Sequence, residues 1–291
     1  MKTVFVGAGC VATWLAEILP ETRDRVALDP GPVADGFPMP VLPVDVLNPG
    51  DAAAAAITGA DLLVLAVPVD VALAVLDRWG AHLKTGCAVI DTLSTKSLFA
   101  ERLAERLPGL GAAGVNPLFR PQRGLPGGRV LATVYRPDAR IAQAFDHIRD
   151  YGCDVDDMSF DQHDRIMGAV QGLTHITALA FGQALQAMGP PPDTATTPPY
   201  RCTAAIFARL VSGAPHIPWE IQRNNPYANA ARRQLIDTLE HLDAQILEND
   251  QAGFARDIVA LRTDPRLRVD KGADTAARLF IASKAPEPVT S

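Results

Sequence analysis

The N-terminal half of the chain alternates short apolar runs with segments whose apolar residues recur at helical spacing. Such runs, rich in β-branched residues, are typical of strands buried on both faces of a parallel sheet. The predicted strands are residues 3–6, 26–28, 62–67, 88–90, 113–115 and 130–134, and the predicted helices between them are residues 12–19, 70–79 and 96–107. Repeated strand–helix–strand units predict an α/β Rossmann domain whose doubly wound sheet is mostly parallel.

The pattern changes near residues 151–160, and beyond Asp161 it predicts helices joined by loops, without strands. The stretch 189–199 (GPPPDTATTPP) is predicted to be a loop, and Asp250 is predicted to cap a helix that ends near Arg262. We therefore predict an α/β domain over residues 1–155, an all-α domain over residues 156–285 and a short tail over residues 286–291.

Charge and composition narrow the class of protein. The 27 basic and 33 acidic residues give a net charge of −6, the wrong sign for a phosphate backbone, so no nucleic acid partner is expected. Residues 166–192 carry no charged side chain, but their polar residues would lack partners in lipid, so no membrane partner is expected. The four separated cysteines form no CxxC pair, which predicts reduced thiols in a cytoplasmic protein and no metal site.

A glycine-rich turn joins the first predicted strand to a helix, with the pattern G-x-G-x-x-A in Gly7-Ala8-Gly9-Cys10-Val11-Ala12. Two absent side chains let the backbone approach a pyrophosphate, which the helix N-terminus stabilises with unpaired N–H groups. We expect contacts with a dinucleotide from Gly7, Gly9, Cys10, Val11 and Ala12. A plain tight turn is the alternative.

The second predicted strand ends in Asp29, about 20 residues after the glycines. A carboxylate at this position accepts hydrogen bonds from an adenosine ribose and repels a 2′-phosphate, which predicts NAD rather than NADP as the cofactor. The alternative is that Asp29 only forms a turn before Pro30-Gly31.

Two further predicted strands end in the segments AVP and DTLSTK, at the sheet edge where ligands bind in such folds. We expect Val67, Pro68 and Thr92 to line the cofactor. Ser94 and Lys96 then lie where a substrate or the nicotinamide binds. Alternatively, Ser94 caps the following helix and Lys96 is solvated.

Several segments together resemble, in their order, the motifs of the prephenate dehydrogenases of tyrosine biosynthesis: AVPV, DTLSTKS, NPLF, FDQHDRIMGAVQGLTHITALAFG and PPYRCTAAIFARLV. The resemblance covers nearly the whole chain. It implies an NAD(P)-binding domain followed by a helical domain that forms a homodimer. It also implies a small cyclohexadienyl acid as substrate, oxidised at C4 with loss of the ring carboxylate as CO2.

The resemblance also implies roles for individual side chains. Ser94 matches the serine that hydrogen-bonds the C4 substituent, and Arg201 matches the arginine that binds the ring carboxylate, a pairing that suits a guanidinium. His163 and His175 match histidines near the site. The alternatives are a surface ion pair for Arg201, a helix cap for His163 and a buried structural role for His175.

Asn116 is a departure from the family pattern, because it stands where these enzymes have the histidine that accepts the C4 hydroxyl proton. An amide is not a base, and a base at this point contributes typically about 10²- to 10⁴-fold to the oxidation of an alcohol. An amine at C4 needs no such base, since its lone pair can expel hydride directly and the Asn116 carbonyl can accept an N–H bond. We therefore expect 4-amino-4-deoxyprephenate as substrate, as in related enzymes of p-aminophenylalanine and antibiotic biosynthesis.

Other possibilities remain open at this point. Arg120 and Gln122 either contact the substrate or are surface loop residues, and Trp219 either reaches a partner subunit's site or packs in a core. The enzyme alternative is a prephenate or arogenate dehydrogenase in which His163 or a water replaces the missing base. A non-catalytic NAD-binding protein is a second alternative, and a β-hydroxyacid dehydrogenase is less favoured because the helical region offers no catalytic lysine.

Overall fold

The structure is a computed structural model that describes residues 1–20, 24–33, 36–121, 128–191 and 195–282. The chain divides into two compact units. The sheet unit comprises Met1–Gly168 and Arg223–Tyr227, and the helical unit comprises Ala169–Gln222 and Ala228–Ser291.

The sheet unit contains one eight-stranded sheet in the order β3-β2-β1-β4-β5-β6-β7-β8. Every strand pair is parallel except β6 and β7, which are antiparallel. The strands are β1 (Thr3–Val6), β2 (Arg25–Leu28), β3 (Val41–Leu42), β4 (Leu62–Leu65), β5 (Ala88–Asp91), β6 (Gly111–Pro117), β7 (Arg129–Arg136) and β8 (Asp154–Asp157). The predicted mostly parallel α/β sheet is confirmed.

Helices cover both faces of this sheet, so each buried strand contributes side chains to two cores. In β1, Phe5 belongs to one apolar cluster with Trp14, while Val4 and Val6 belong to the other. This arrangement explains the continuous apolar runs of the strands. The helices of the unit are α1 (Cys10–Ile18), α2 (Asp51–Thr58), α3 (Val69–Trp79), α4 (Ser97–Arg106), α5 (Ala139–Asp150) and α6 (Phe160–Met167).

The sequence pattern missed several short elements. Strand β8, which pairs with β7 at the sheet edge, was not among the predicted strands. Its sequence, DVDD, contains a single apolar residue and stays partly exposed, so no apolar run marks it. Helix α2 was missed because its alanines favour a helix without forming a stripe of large apolar side chains.

The helical unit contains no strand among its described residues. A π-helical turn, Gly168–Leu173, precedes α7 (Thr174–Met188), and the later helices are α8 (Pro198–Val211), α9 (His216–Asn224), α10 (Ala228–Leu247), α11 (Gln251–Thr263) and α12 (Val269–Ala282). Asp250 caps α11 by accepting a hydrogen bond from the Gly253 amide, as predicted. The loop predicted over residues 189–199 ends two residues early, because prolines are tolerated in the first turn of α8. No helix among the described residues is long and apolar enough to cross a bilayer.

Candidate active site

The glycine turn after β1 has the geometry that a bound pyrophosphate needs. Gly7 has a φ of 96°, and a Cβ at this position would lie 2.2 Å from the Ala66 carbonyl oxygen, so only glycine fits. Gly9 is the N-cap residue of α1, no side chain caps this helix, and a Cβ on Gly9 would meet no atom of the described part of the chain within 4 Å. The first N–H groups of α1 thus have no side-chain cap, and such unpaired donors together with the helix dipole stabilise an anion.

Side-chain exposure differs among the other predicted residues of this turn. Cys10 is exposed, Val11 is half-buried and Ala12 is fully buried in the core under α1. Cys10 and Val11 are thus accessible to a ligand, whereas Ala12 lets α1 pack closely on the sheet.

Asp29 follows β2 and braces the glycine turn. Its Oδ2 accepts the Ala8 amide at 2.7 Å, and its Oδ1 accepts the Gly31 amide at 2.8 Å. Each carboxylate oxygen has a further lone pair, which leaves acceptor capacity for ribose hydroxyls. The predicted turn-forming role of Asp29 is therefore present, and it is compatible with the predicted ribose contact.

The residues after β4 and β5 lie beside this turn in the sheet. The Ala66 amide donates to the Val6 carbonyl at 2.8 Å, Pro68 caps α3, and the Thr92 amide donates to the Leu65 carbonyl at 3.0 Å. Val67 lies between them in the chain, next to the position that a Cβ on Gly7 would occupy. These residues sit at the carboxyl ends of β4 and β5, next to the point where the sheet order reverses, which is the usual ligand crevice of such folds.

Asn116, near the end of β6, is buried and bonded to His163 of α6. The Asn116 Nδ2 lies 2.9 Å from the His163 Nε2, and the His163 Nδ1 lies 2.8 Å from the Asp164 Oδ1. An ionised carboxylate can only accept, so Nδ1 carries a proton, and in a neutral ring Nε2 then accepts an N–H of Asn116. The Asn116 Oδ1 accepts no hydrogen bond from a described residue, which leaves this oxygen to a ligand.

Asp164 anchors this line of side chains to the start of α4. Its carboxylate accepts the backbone amides of Lys96 and Ser97, each at 2.8 Å, and the Ser97 hydroxyl at 2.6 Å. Asn225 donates to the Asp164 carbonyl at 2.8 Å. Burial opposes ionisation of Asp164, but the hydrogen bonds from His163, Ser97 and Lys96 outweigh it and hold the pKa of this carboxyl below its ordinary value. Burial is also the main influence on His163, and it lowers the pKa of the ring despite the neighbouring carboxylate.

Lys96 is fully buried, so the expectation of a solvated lysine is wrong. Its Nζ lies 2.6 Å from the Asp91 Oδ1 and 3.5 Å from the Val115 carbonyl. Asp91 also accepts the Tyr135 hydroxyl at 2.8 Å, and burial together with this carboxylate raises the pKa of Tyr135 well above its ordinary value. A Cβ on Gly114 would lie 2.8 Å from the Lys96 Nζ, so the missing side chain on β6 makes room for the ammonium.

Ser94 is half-buried after β5, and its hydroxyl bonds to no described residue. The expectation that it caps α4 is wrong, because Lys96 occupies the cap position and no side chain caps this helix. The alternative that His163 caps a helix is wrong as well, since Ser159 and Gln162 form the capping box of α6. Arg120 is exposed after β6, and Gln122 lies outside the described residues.

Three predicted residues belong to the helical unit. Arg201, in α8, uses Nη1 to donate to the Thr196 carbonyl at 3.2 Å, and its buried Nε has no hydrogen-bond partner among the described residues. His175, in α7, has a buried Nδ1 that likewise lacks a partner in the described chain, and burial lowers the pKa of its ring. Trp219, in α9, is 62% exposed, so its core-packing alternative is wrong for the single chain.

Sequence reasoning missed the acidic residues and the tyrosine that organise the site: Asp91, Asp164 and Tyr135. Asp164 carried a signal, since it directly follows His163 in the HD pair within the family-like segment. Asp91 ends a buried strand, where a carboxylate is unusual unless it is paired. Tyr135 carried no local signal, because only the β6–β7 pairing brings it to Asp91.

Comparisons with known proteins place these motifs in context. The family model described as prephenate dehydrogenase, nucleotide-binding domain, matches residues 45–130, and the model described as prephenate dehydrogenase, dimerization domain, matches residues 159–259. A 4-amino-4-deoxyprephenate dehydrogenase from Streptomyces pristinaespiralis is 35% identical over 261 residues, which are 88% of this chain and 83% of that protein.

More distant relatives agree with these matches. A probable arogenate/prephenate dehydrogenase from Methanocaldococcus jannaschii is 23% identical over 206 residues, 67% of this chain and 46% of that protein. The crystal structure of a prephenate dehydrogenase from A. aeolicus in complex with hydroxyphenyl propionate and NAD+ superimposes with a TM-score of 0.67 at 20% identity, covering 90% of this chain and 97% of that one. At this identity the likeness concerns the fold.

Proposed function

The chain belongs to the prephenate dehydrogenase family, and on that premise we propose that it catalyses the NAD-dependent oxidative decarboxylation of 4-amino-4-deoxyprephenate to 4-aminophenylpyruvate. One observation carries the choice of substrate. Asn116 stands where the family has a basic histidine, and its amide nitrogen is bonded to His163, so that its carbonyl oxygen remains to accept an N–H of a C4 amine.

The chemistry follows from the amine. In its neutral form, the C4 nitrogen donates its lone pair as the C4–H bond breaks and hydride leaves, which gives an iminium ion. The bond to the ring carboxylate then breaks, its electron pair aromatises the ring, and CO2 departs. The products are 4-aminophenylpyruvate, CO2 and NADH. No proton leaves nitrogen in the hydride step, so an acceptor without basicity is sufficient.

The chain's own residues have separate tasks in this proposal. The Asn116 oxygen accepts one N–H and orients the nitrogen, and the Ser94 hydroxyl, which bonds to no described residue, contacts the same substituent. Arg201, whose Nε has no partner among the described residues, is assigned to the ring carboxylate and His175 is kept as a candidate for substrate contact, both as the family resemblance implies. Arg120 and Gln122 are kept as further candidates for substrate contact. The buried Lys96 acts indirectly, by fixing Asp91 and the loop that carries Ser94.

The residues of the glycine turn fit a dinucleotide cofactor. The open space at Gly9, the uncapped N-terminus of α1 and the residual acceptor capacity of Asp29 suit a pyrophosphate and a ribose. When bound, NAD+ supplies the acceptor for the hydride. The Asp29 carboxylate disfavours the extra phosphate of NADP by charge repulsion.

The dimerization-domain match over residues 159–259 supports a homodimer formed through the helical domain, for which we keep the predicted bounds 156–285, with the cofactor domain over residues 1–155. Apolar side chains on the later helices are exposed in the single chain, among them Leu239, Ile246 and Leu261. Burial of such residues against a second copy removes apolar surface from water. Sedimentation of the purified protein tests this, and a monomer at micromolar concentration would contradict it.

The decisive experiment compares substrates. Purified protein with NAD+ is given 4-amino-4-deoxyprephenate, prephenate or arogenate, and NADH formation is followed. We expect the kcat/KM for 4-amino-4-deoxyprephenate to be at least about 10²-fold above that for prephenate, because about 10²-fold is the lower end of what loss of a catalytic base costs. Faster turnover of prephenate or arogenate would refute the amine assignment, and absence of turnover with all three despite NAD+ binding would favour a non-catalytic role.

A further inference from the structure

We propose that His163 and Asp164 form a positioning pair that fixes which end of the Asn116 amide faces the substrate. The pair holds the amide nitrogen inward, so that Asn116 presents an acceptor and not a donor at C4. This inference rests on the proposed function, because it assigns the orientation of the group that meets the C4 amine.

With an ionised Asp164 and a neutral His163 ring, only one set of hydrogen bonds is consistent with the geometry. Asp164 is bound by two backbone amides and the Ser97 hydroxyl, which all donate, so its carboxylate is ionised and can only accept. The ring Nδ1 at 2.8 Å must then carry a proton, and in the neutral ring Nε2 is bare. A bare Nε2 at 2.9 Å from Asn116 accepts an N–H, which turns the amide oxygen away from the histidine.

This orientation matters because the two ends of an amide have the same size but opposite hydrogen-bonding character. An amide N–H directed at the C4 nitrogen would bind its lone pair, the electron pair that must expel hydride. A carbonyl oxygen instead binds an N–H of the substrate and leaves that lone pair free. Packing alone does not distinguish the two orientations, whereas the bond to His163 does.

The proton on His163 is therefore a potential switch. A doubly protonated ring would present an N–H at Nε2, and Asn116 would have to turn its oxygen inward to accept it. Among the described residues, the charged and titratable groups around the ring are Asp164 on α6, Asp91 at the end of β5, Lys96 just before α4, and Tyr135 on β7, which reaches the cluster through Asp91. Burial and the Lys96 charge disfavour the protonated ring, and the two carboxylates favour it. The balance lowers the pKa of His163, which keeps the ring neutral near neutral pH.

The first test reads the ring directly and needs no substrate. The full-length protein is labelled with nitrogen-15 histidine, and the ring signals of His163 are assigned by their loss in H163Q. We expect a protonated Nδ1 and a bare Nε2 at about pH 7.5, in a neutral ring. A ring with its proton on Nε2, or one protonated on both nitrogens, would overturn the proposal. The variant H82Q, which changes an exposed histidine of the same unit, controls for the assignment.

The second test uses kinetics. In H163Q, the glutamine oxygen replaces Nε2 as an acceptor, so we expect kcat to remain within about tenfold of wild type. In H163L, no acceptor remains, and kcat should fall further than in H163Q while the Kd for NAD+ is unchanged. Equal kcat values in wild type and H163L would overturn the proposal. If H163L fails to fold, the ring spectrum of the wild type still decides.

The two proposals fail in different ways. A protonated Nδ1 combined with a preference for prephenate would refute the amine substrate and leave the positioning pair intact. A protonated Nε2 combined with a preference for 4-amino-4-deoxyprephenate would refute the positioning pair and leave the amine substrate intact.

Discussion

The two ends of the candidate site are built by different means. The cofactor end uses backbone groups: glycines without side chains, the open N-terminus of α1 and a carboxylate that braces the turn. The substrate end uses buried side chains from β5, β6, β7 and α6, tied together by Asp91 and Asp164. The first end depends on local conformation and the second on long-range contacts, so the two should respond differently to substitution.

The largest effect is expected from the buried ion pair at the substrate end. Lys96→Met leaves the fully buried Asp91 carboxylate with the Tyr135 hydroxyl and one backbone amide. Breaking one partner of such a pair costs about 3–5 kcal/mol, measurable as a lower free energy of unfolding in urea. Lys84→Met is the matched control, because the Lys84–Asp61 pair is partly exposed and worth at most about 1 kcal/mol. An equal loss of unfolding free energy in Lys96→Met and Lys84→Met would contradict the difference expected between the buried and the partly exposed ion pair.

The two glycines of the cofactor end should separate folding from binding. Gly7→Ala forces a Cβ against the Ala66 carbonyl at a positive φ, and we expect a loss of about 2–4 kcal/mol in unfolding free energy. Gly9→Ala meets open space, so stability should change by less than about 1 kcal/mol while the Kd for NAD+ rises about tenfold or more, because the methyl group occupies space needed by the pyrophosphate. Nucleotide titration and urea unfolding measure the two effects. Unaltered NAD+ binding in Gly9→Ala would exclude this turn as the pyrophosphate site.

A base introduced at the substrate end should change specificity. Asn116→His can donate one ring N–H to His163 and leave its other nitrogen as a proton acceptor. We expect prephenate turnover to rise by about tenfold to 10²-fold, with no improvement for the amino substrate. Asn116→Ala is the control without a base, and it should lower turnover of both substrates. A gain with the amine and none with prephenate would contradict the assigned role.

The smallest effect concerns pH. The pKa of His163 is lower in the folded protein than its ordinary value of 6.5, so the unfolded chain binds the proton first as pH falls. The corresponding stability is fully present above about pH 6.5 and is lost as pH falls through the lowered folded pKa, at no more than about 1.4 kcal/mol per pH unit. The pKa of Asp164 is also lowered, so the protein loses further stability as the pH falls below 3.8, the ordinary pKa of this carboxyl. Urea unfolding of wild type and H163Q between about pH 7.5 and pH 5 checks the sign. If the unfolding free energy of H163Q depends on pH as strongly as that of the wild type, a group other than His163 is responsible for the dependence.

The same contrast explains what the sequence revealed. The parallel sheet and the helices around it followed from apolar spacing, and the family resemblance inferred from linked motifs is confirmed by the family models. The glycine turn could be predicted from the sequence because its residue spacing is set by one strand, one turn and one helix. The hydrogen bond between Asn116 and His163 could not be predicted, since 47 residues separate them in the sequence and only the packing of α6 brings them together. The alternative of a solvated Lys96 is wrong because its partner, Asp91, belongs to the preceding strand and is buried with it.

The gap at Gly114 constrains how this protein can diverge. The lysine ammonium fills the volume that a side chain on β6 would take, and a Cβ there would also lie 2.9 Å from the Asp91 carboxylate. Among descendants of this sequence, a larger residue at 114 becomes tolerable only after the lysine has shortened or disappeared, and the aspartate must then change as well. Positions 91, 96 and 114 should therefore covary as a set.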